Sequence, residues 1–402
     1  MFKLQYDWGK LGKDGSKVAE YARHQPGFVY DESKPYAELW MGTHPSLPTR
    51  LASDGQPLLA DYIARDPKKL LGERVAAKYN SELPFLFKIL AIRKALSIQA
   101  HPDKTLAERL HRERPEIYKD PNHKPEMAVA LTPFAGFCGF RPLDEIAGFL
   151  RTIPEFAAVV GKKAAESFLS ATSNSTSTTD QKSDLRALFS ALMNANAEHV
   201  SEELGKLVSR LTTEAQDGVL ERLVIELDKQ FPRDVGVFCT YMLNLVHLEP
   251  GQAAFLSANE PHAYLSGDIV ECMATSDNVV RAGLTPKLRD VNTLVEMLTY
   301  KCGSASSQRL EPTNYKTCTH TVLYDPPIAE FSVLATTLGP NQTDCHPPID
   351  GPSIVIVTSG TGGIDSASVE KEGQVYYLRP NEQVKLNSGS NGMICYRAFV
   401  EA

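Results

Sequence analysis

The sequence predicts a mainly β protein with an α-helical insertion: two small jelly-roll barrels and one helical domain. Three observations carry that expectation. Short apolar or alternating runs, separated by Gly and Pro turns, fill residues 1–142 and 245–303, the pattern of an antiparallel barrel. Between them, from Asp144 to about Asn244, apolar residues recur every three to four positions, as on helices that bury one face. Beyond residue 304 short strand-like runs return. The chain is therefore divided into a discontinuous barrel (1–142 with 245–303), a helical domain (143–244) and a second barrel (304–402), expected to be non-catalytic.

In chain order, Tyr36, Glu38 and Trp40 alternate with Ala37, Leu39 and Met41, which is strand periodicity. Glu38, a single acid among aromatics, is either a site residue or a solvated charge. Residues 58–78 read as helical. Leu83–Ala91 is a dense apolar run typical of a buried strand, interrupted only by Lys88. Lysine is seldom buried unpaired, so Lys88 lies at a strand end or faces a polar pocket. In Ala95–Lys104, alternation places Ser97, Gln99 and His101 on one face and Ile98 and Ala100 on the other; Pro102, lacking an amide hydrogen, ends the strand. Lys104–Arg114 reads as a helix. Pro125 then stiffens the turn that carries Lys124 and Glu126, and Met127–Pro133 and Phe134–Pro142 read as further strands.

The helical block is marked by Ile146, Phe149 and Leu150, by Leu185, Leu188 and Leu192, and by Leu204, Leu207 and Leu211, with a helix start expected at Ser201. Ser173–Ser183, polar and of low complexity, reads as a mobile loop. Strands resume at Leu245–Gly251 and Ala253–Ala258. A turn at Asn259–Pro261 leads into the long run His262–Met273 and then Asp277–Lys287. Pro250-Gly251 followed about ten residues later by Pro261-His262 is similar to the second motif of a cupin barrel. Leu288–Leu298 reads as a helix. In the last barrel His320 and His346 lack acids at ligand-like spacing and are read as structural.

Composition excludes several functions. Of 402 residues 42% are hydrophobic and 23% charged, an ordinary globular balance, and the net charge of −7 argues against a nucleic-acid surface. No apolar run approaches the ~20 residues needed to cross a bilayer, and Met1–Trp8 shows no secretory signal, so no membrane partner is expected. Seven scattered cysteines without CxxC pairs read as reduced thiols of a cytoplasmic protein.

Gln99, His101, Glu126 and His262 each stand at a strand end or rigid turn, and together they offer the nitrogen and oxygen donors that a zinc ion takes. At this point the residues carry a resemblance. Residues 95–104 (Ala-Leu-Ser-Ile-Gln-Ala-His-Pro-Asp-Lys), 122–128 (Asn-His-Lys-Pro-Glu-Met-Ala), 35–45 (Pro-Tyr-Ala-Glu-Leu-Trp-Met-Gly-Thr-His-Pro) and 280–287 (Val-Arg-Ala-Gly-Leu-Thr-Pro-Lys) closely resemble the eukaryotic type I mannose-6-phosphate isomerases, in the same order and from Trp8 to the C-terminus. The resemblance implies two cupin-like barrels with a helical domain, and one zinc ion held by Gln99, His101, Glu126 and His262. It also implies a catalytic Arg281 and interconversion of mannose 6-phosphate and fructose 6-phosphate through an enediol, feeding GDP-mannose synthesis. Family members carry several more residues before the segment at Trp8, so the first strand is expected to be short.

An enediol concentrates negative charge on two oxygens, so a nearby cation is the main requirement. Glu271 is the first candidate for the proton carrier, with a metal-bound water as the rival. Ser97, Lys88, Lys124 and Lys287, with Glu38, are the candidate substrate-binding residues, the hydroxyl and ammonium groups being suited to a dianionic phosphate. A small sugar phosphate is the expected partner and a monomer the expected state. Two alternatives stand beside this reading: another metal-dependent cupin enzyme, such as an iron dioxygenase with two His and one carboxylate, and a non-catalytic sugar-phosphate-binding relative.

Overall fold

A computed structural model describes residues 2–3, 6–25, 27–52, 55–174, 178–213 and 218–402. Within the described residues the protein is mainly β with an α-helical insertion. The strands of the first barrel are β1 (Phe2–Lys3), β2 (Glu38–Met41), β3 (Phe85–Ile92), β4 (Ile98–Ala100), β5 (Glu126–Ala130), β6 (Phe134–Phe140), β7 (Leu243–Leu248), β8 (Ala253–Leu256), β9 (His262–Ala274) and β10 (Val280–Gly283). One face of the barrel runs β1-β2-β3-β9-β5-β8, and the other joins β10, β4, the first half of β9, β6 and β7.

β9 belongs to both faces because it bends. His262 pairs with Gln99 and Cys138, whereas Gly267 to Ala274 pair with β3. At the bend Gly267 has φ +113°, and a Cβ there would stand 2.8 Å from the Cα of Phe134 and the carbonyl oxygen of Pro133. Only glycine fits such a position. The bend and its bulge shift the inward-facing set from His262 and Tyr264 to Ile269, Glu271 and Met273.

Each barrel face buries its back. Phe85, Phe87 and Ile89 of β3, with Met127, Val129 and Cys272, pack on Tyr324, Val333, Ile354 and Ile356 of the C-terminal barrel. This is why β3 is buried along its whole length, the case expected of a near-continuous apolar run. Ile98, Ala100, Phe137, Ala263 and Val280 on the other back join the core of the helical block. Full burial of each Val, Ile, Met or Phe among them contributes about 1.5–3 kcal/mol. The first barrel is thus clamped between the two other units; its interior is apolar around Leu90, Ile92, Leu248 and Ile269 and opens at one end into a polar cavity.

Besides Lys17–Ala22 and three short helices within residues 59–78, the helices are α1 (Lys104–Glu113), α2 (Leu143–Thr152), α3 (Pro154–Val160), α4 (Lys162–Asn174), α5 (Thr178–Met193), α6 (Ala197–Thr213), α7 (Val219–Gln230) and α8 (Val291–Met297). Several expectations are corrected. The loop expected over Ser173–Ser183 is helix on both sides of 175–177, which lie outside the described residues. The polar residues from Thr179 form the outer first turns of α5, whose Leu185, Leu188 and Leu192 anchor it in the core. The start expected at Ser201 comes earlier, at Ala197, where the Asn196 side chain accepts from the amides of Glu198 and His199. Residues 58–78 divide into Leu59–Arg65, Pro67–Leu71 and Glu73–Lys78, because Asp66 caps the second piece and Gly72, at φ +89°, ends it. Arg309–Leu310, just beyond the expected boundary at 304, pairs with Ala253–Ala254 of β8. The short first strand is the pair β1, bonded to Glu38 and Leu39. No helix among the described residues is long and apolar enough to cross a membrane.

The second barrel contains an 8-stranded sheet around Ser353–Ile364 and Val384–Phe399. Its buried His346 is less isolated than its sequence neighbourhood indicates. Asp344 and His346 both bond the Thr321 hydroxyl, at 2.8 and 3.1 Å, and Arg397 stands 3.2 Å from His346 Nδ1. A guanidinium can only donate, so Nδ1 accepts and Nε2 carries the proton toward Thr321 and Thr336. Both nitrogens are spent within the fold.

Candidate metal centre and active-site cavity

The open end of the first barrel holds a cavity of about 540 Å³, within the roughly 300–1,000 Å³ of small-molecule sites. Two rows of cross-strand neighbours form its walls. Trp40, Lys88 and Glu271 lie side by side across β2, β3 and β9, and Arg281, Gln99 and His262 lie side by side across β10, β4 and β9. Glu126 opens β5 immediately after Pro125, and Ser97 and Lys287 line the cavity toward its rim.

Three acceptor atoms converge at the buried end. His101 Nε2 and His262 Nε2 lie 3.4 and 3.3 Å from Glu126 Oε2. All three atoms are buried and, among the described residues, lack a hydrogen-bond partner. The tautomers explain why. His101 Nδ1 is 2.6 Å from the carbonyl oxygen of Asn278, and His262 Nδ1 is 3.1 Å from that of Glu260. A carbonyl only accepts, so each Nδ1 carries the proton and each Nε2 presents a bare lone pair. Burial pushes the His101 imidazole down to about 4, so it stays neutral. For Glu126, burial works to raise the pKa, but the Lys124 ammonium, 3.1 Å from Oε1, holds it well below the usual carboxylate range. Two lone pairs and a carboxylate oxygen facing one another without a proton repel unless a cation sits among them. The donors fit zinc, and the Gln99 side chain faces the same cavity.

The remaining residues fall into two groups. Lys88 is buried at mid-strand with its ammonium 3.0 Å from Glu271 Oε2 and 4.8 Å from the Trp40 ring centre. Burial disfavours its charge, yet Glu271, Glu38 and Glu126 outweigh burial and raise its pKa. Glu271 Oε1 accepts from the Tyr264 hydroxyl at 2.8 Å. Glu38 accepts from the Trp40 indole at 3.1 Å, and burial pushes its carboxyl up, partly offset by Lys88. Lys88 and Lys124 therefore have carboxylate partners already, which the sequence alone does not reveal. Arg281 and Lys287 form no ion pair among the described residues, so the surface salt bridge that is the ordinary fate of an arginine is not what Arg281 makes. Burial lowers the Arg281 pKa, though a guanidinium remains cationic at neutral pH.

Tyr264, Trp40, His44 and Asp277 also line the cavity and are absent from the candidates named above. His44 stands 3.5 Å from Asp277 and meets the Trp40 ring edge-on. Tyr264 lies two residues beyond His262 on the same strand, so alternation alone would have selected it.

Comparison with known proteins shows the family. Residues 2–143, 159–243 and 321–366 match the family models for the phosphomannose isomerase type I catalytic domain, helical insertion domain and C-terminal region. The mannose-6-phosphate isomerase of Cryptococcus neoformans is 46% identical over 99% of this chain and 97% of its own. That of Saccharomyces cerevisiae is 45% identical over 99% and 96%. A zinc-bound mannose 6-phosphate isomerase structure superposes with a TM-score of 0.79 at 30% identity, covering 100% of this chain and 98% of that one. A mutant of the Salmonella typhimurium phosphomannose isomerase gives the same values. The chain belongs to the type I phosphomannose isomerase family.

Proposed function

We propose that this chain is a zinc-dependent aldose–ketose isomerase that interconverts mannose 6-phosphate and fructose 6-phosphate, at a step that feeds GDP-mannose synthesis. The observation that carries the reading is the trio of buried acceptors, His101 Nε2, His262 Nε2 and Glu126 Oε2, with no donor between them. Gln99 completes the donor set. Zinc bound there would act as a Lewis acid toward substrate oxygens.

The chain's own groups do the rest. Isomerisation moves one proton between C2 and C1 and a second between O2 and O1. Glu271, aimed by Tyr264 and Lys88, takes the first from one carbon and returns it to the other. Arg281, cationic and without a carboxylate partner among the described residues, faces the negative charge that grows on O1 and O2 as the enediolate forms. Ser97 and Lys287 at the rim supply a hydroxyl and an uncompensated ammonium for the phosphate. Lys88 and Lys124, already neutralised by carboxylates, serve with Glu38 to bind sugar hydroxyls. The seven cysteines, all free, suit a reducing compartment such as the cytosol.

A coupled assay for fructose 6-phosphate formation, run with a chelator and after zinc is restored, tests the reading. Activity should vanish on chelation and return with zinc. Turnover that survives complete removal of the metal would sink the zinc-dependent mechanism, and a zinc-loaded protein that turns over no mannose 6-phosphate would sink the substrate assignment.

A further inference from the structure

Behind the metal ligands, two loops are tied in one knot. The first, Asp120–Pro125, delivers Lys124 and Glu126. The second, Thr275–Val279, joins β9 to β10 and so delivers Arg281. The Asp120 carboxylate accepts from the Asn122 amide and the Ser276 hydroxyl, both at 2.9 Å, and from the Asp277 amide at 2.7 Å. Asn278, 2% exposed, donates from Nδ2 to the carbonyls of Asp120 and Asn122, at 2.7 and 2.8 Å. Its own backbone carbonyl is the group that accepts the hydrogen bond from His101 Nδ1–H at 2.6 Å. One buried amide thus fixes both loops and the tautomer of a metal ligand.

The tautomer matters because the alternative disables the donor. Were the carbonyl of Asn278 displaced, the imidazole proton could move to Nε2, where Glu126 Oε2 waits 3.4 Å away. His101 would then donate to the carboxylate and have no lone pair for a metal. We propose that Asn278, anchored by Asp120, is a positioning residue of the metal centre: it holds His101 as the Nδ1–H tautomer and locks the Glu126 loop to the Arg281 strand. Neither residue needs to touch the metal or the substrate. The inference rests on the zinc reading above.

Two measurements test it. In metal-free wild-type protein labelled with ¹⁵N-histidine, the His101 signal, assigned by its loss in His101→Gln, should show the proton on Nδ1. A proton on Nε2 overturns the proposal whatever the variants do. Zinc affinity, read by competition with a fluorescent chelator, should fall about 10–100-fold in Asn278→Ala and in Asp120→Asn, the scale usual for groups that orient metal ligands. The control is Asn244→Ala. Asn244 is equally buried and donates to three carbonyls, Cys138, Phe140 and Gly303, without contacting a metal ligand. It should lower Tm while leaving zinc affinity unchanged. If wild type binds zinc and Asn278→Ala binds it as tightly, the positioning role is wrong; if wild type itself binds none, the zinc reading fails first and the proposal with it.

Discussion

Lys88→Met isolates one buried charge. The Lys88 ammonium and Glu271 carboxylate are 3.0 Å apart with side chains 7% and 3% exposed, so solvent screens them little. With an effective dielectric constant near 20 their attraction is about 5 kcal/mol, from which the cost of desolvating the lysine is subtracted. Removing the lysine alone leaves Glu271 with Tyr264 as its remaining donor, an uncompensated buried charge whose usual cost is about 3–5 kcal/mol. Loss of the cation over Trp40 adds about 0.5–2 kcal/mol. For a unit of this size that is roughly 10 °C in Tm. Lys88→Met/Glu271→Gln removes both charges and keeps their volume, so most of the loss should be recovered, with a coupling energy of at least about 2 kcal/mol in the cycle. Thermal unfolding of wild type, both single variants and the double variant, all zinc-saturated, measures it. Strictly additive shifts, or a Lys88→Met protein as stable as wild type, would refute the argument that this pair is a mutually compensated unit.

Arg281→Ala should lower kcat about 100–1,000-fold with little change in KM, whereas Lys287→Ala should raise KM about tenfold and spare kcat; steady-state kinetics that reversed the two would exchange their roles. Burial, reinforced by the Arg397 guanidinium, holds the His346 imidazole down at about 3, so the folded protein keeps it neutral where the unfolded chain, titrating near 6.5, takes up a proton. Stability from this group is therefore complete above about pH 6.5 and is lost at up to about 1.4 kcal/mol per pH unit as pH falls toward 3. Denaturant unfolding from pH 7 to pH 4 should lose this slope in His346→Gln. Gly267→Ala, which puts a Cβ against Phe134 and Pro133 at a left-handed φ, should cost about 1–3 kcal/mol and roughly 2–10 °C in Tm; an unchanged Tm would mean that β9 can bend without glycine.

What the sequence reveals and what it hides follow one physical division. Features set by local periodicity are readable: Ile98 and Ala100 pack on one side of β4 while Gln99 faces the cavity on the other, and the 3.6-residue pattern of Leu185, Leu188 and Leu192 marks a helix. Features made by residues far apart in the chain are not. The partners of Lys88 and Glu271 are separated by 183 positions and are set opposite each other by strand register. The pairing of Arg397 with His346, and of Asn278 with His101, likewise exists only after folding. Composition misleads where polar residues start a helix, as in the first turns of α5, because anchoring leucines further along decide the conformation. Tyr264 was within reach of alternation, and its role beside Glu271 depends on the bend at Gly267 that turns both side chains inward.

The most direct test of the account is anomalous X-ray diffraction from zinc-loaded crystals on both sides of the zinc absorption edge. One zinc peak is expected, about 2.0–2.2 Å from His101 Nε2, His262 Nε2 and a Glu126 oxygen, with the Gln99 side chain turned toward it. A fully loaded protein whose zinc peak lay elsewhere, or whose His101 and His262 faced a site holding no metal, would contradict it.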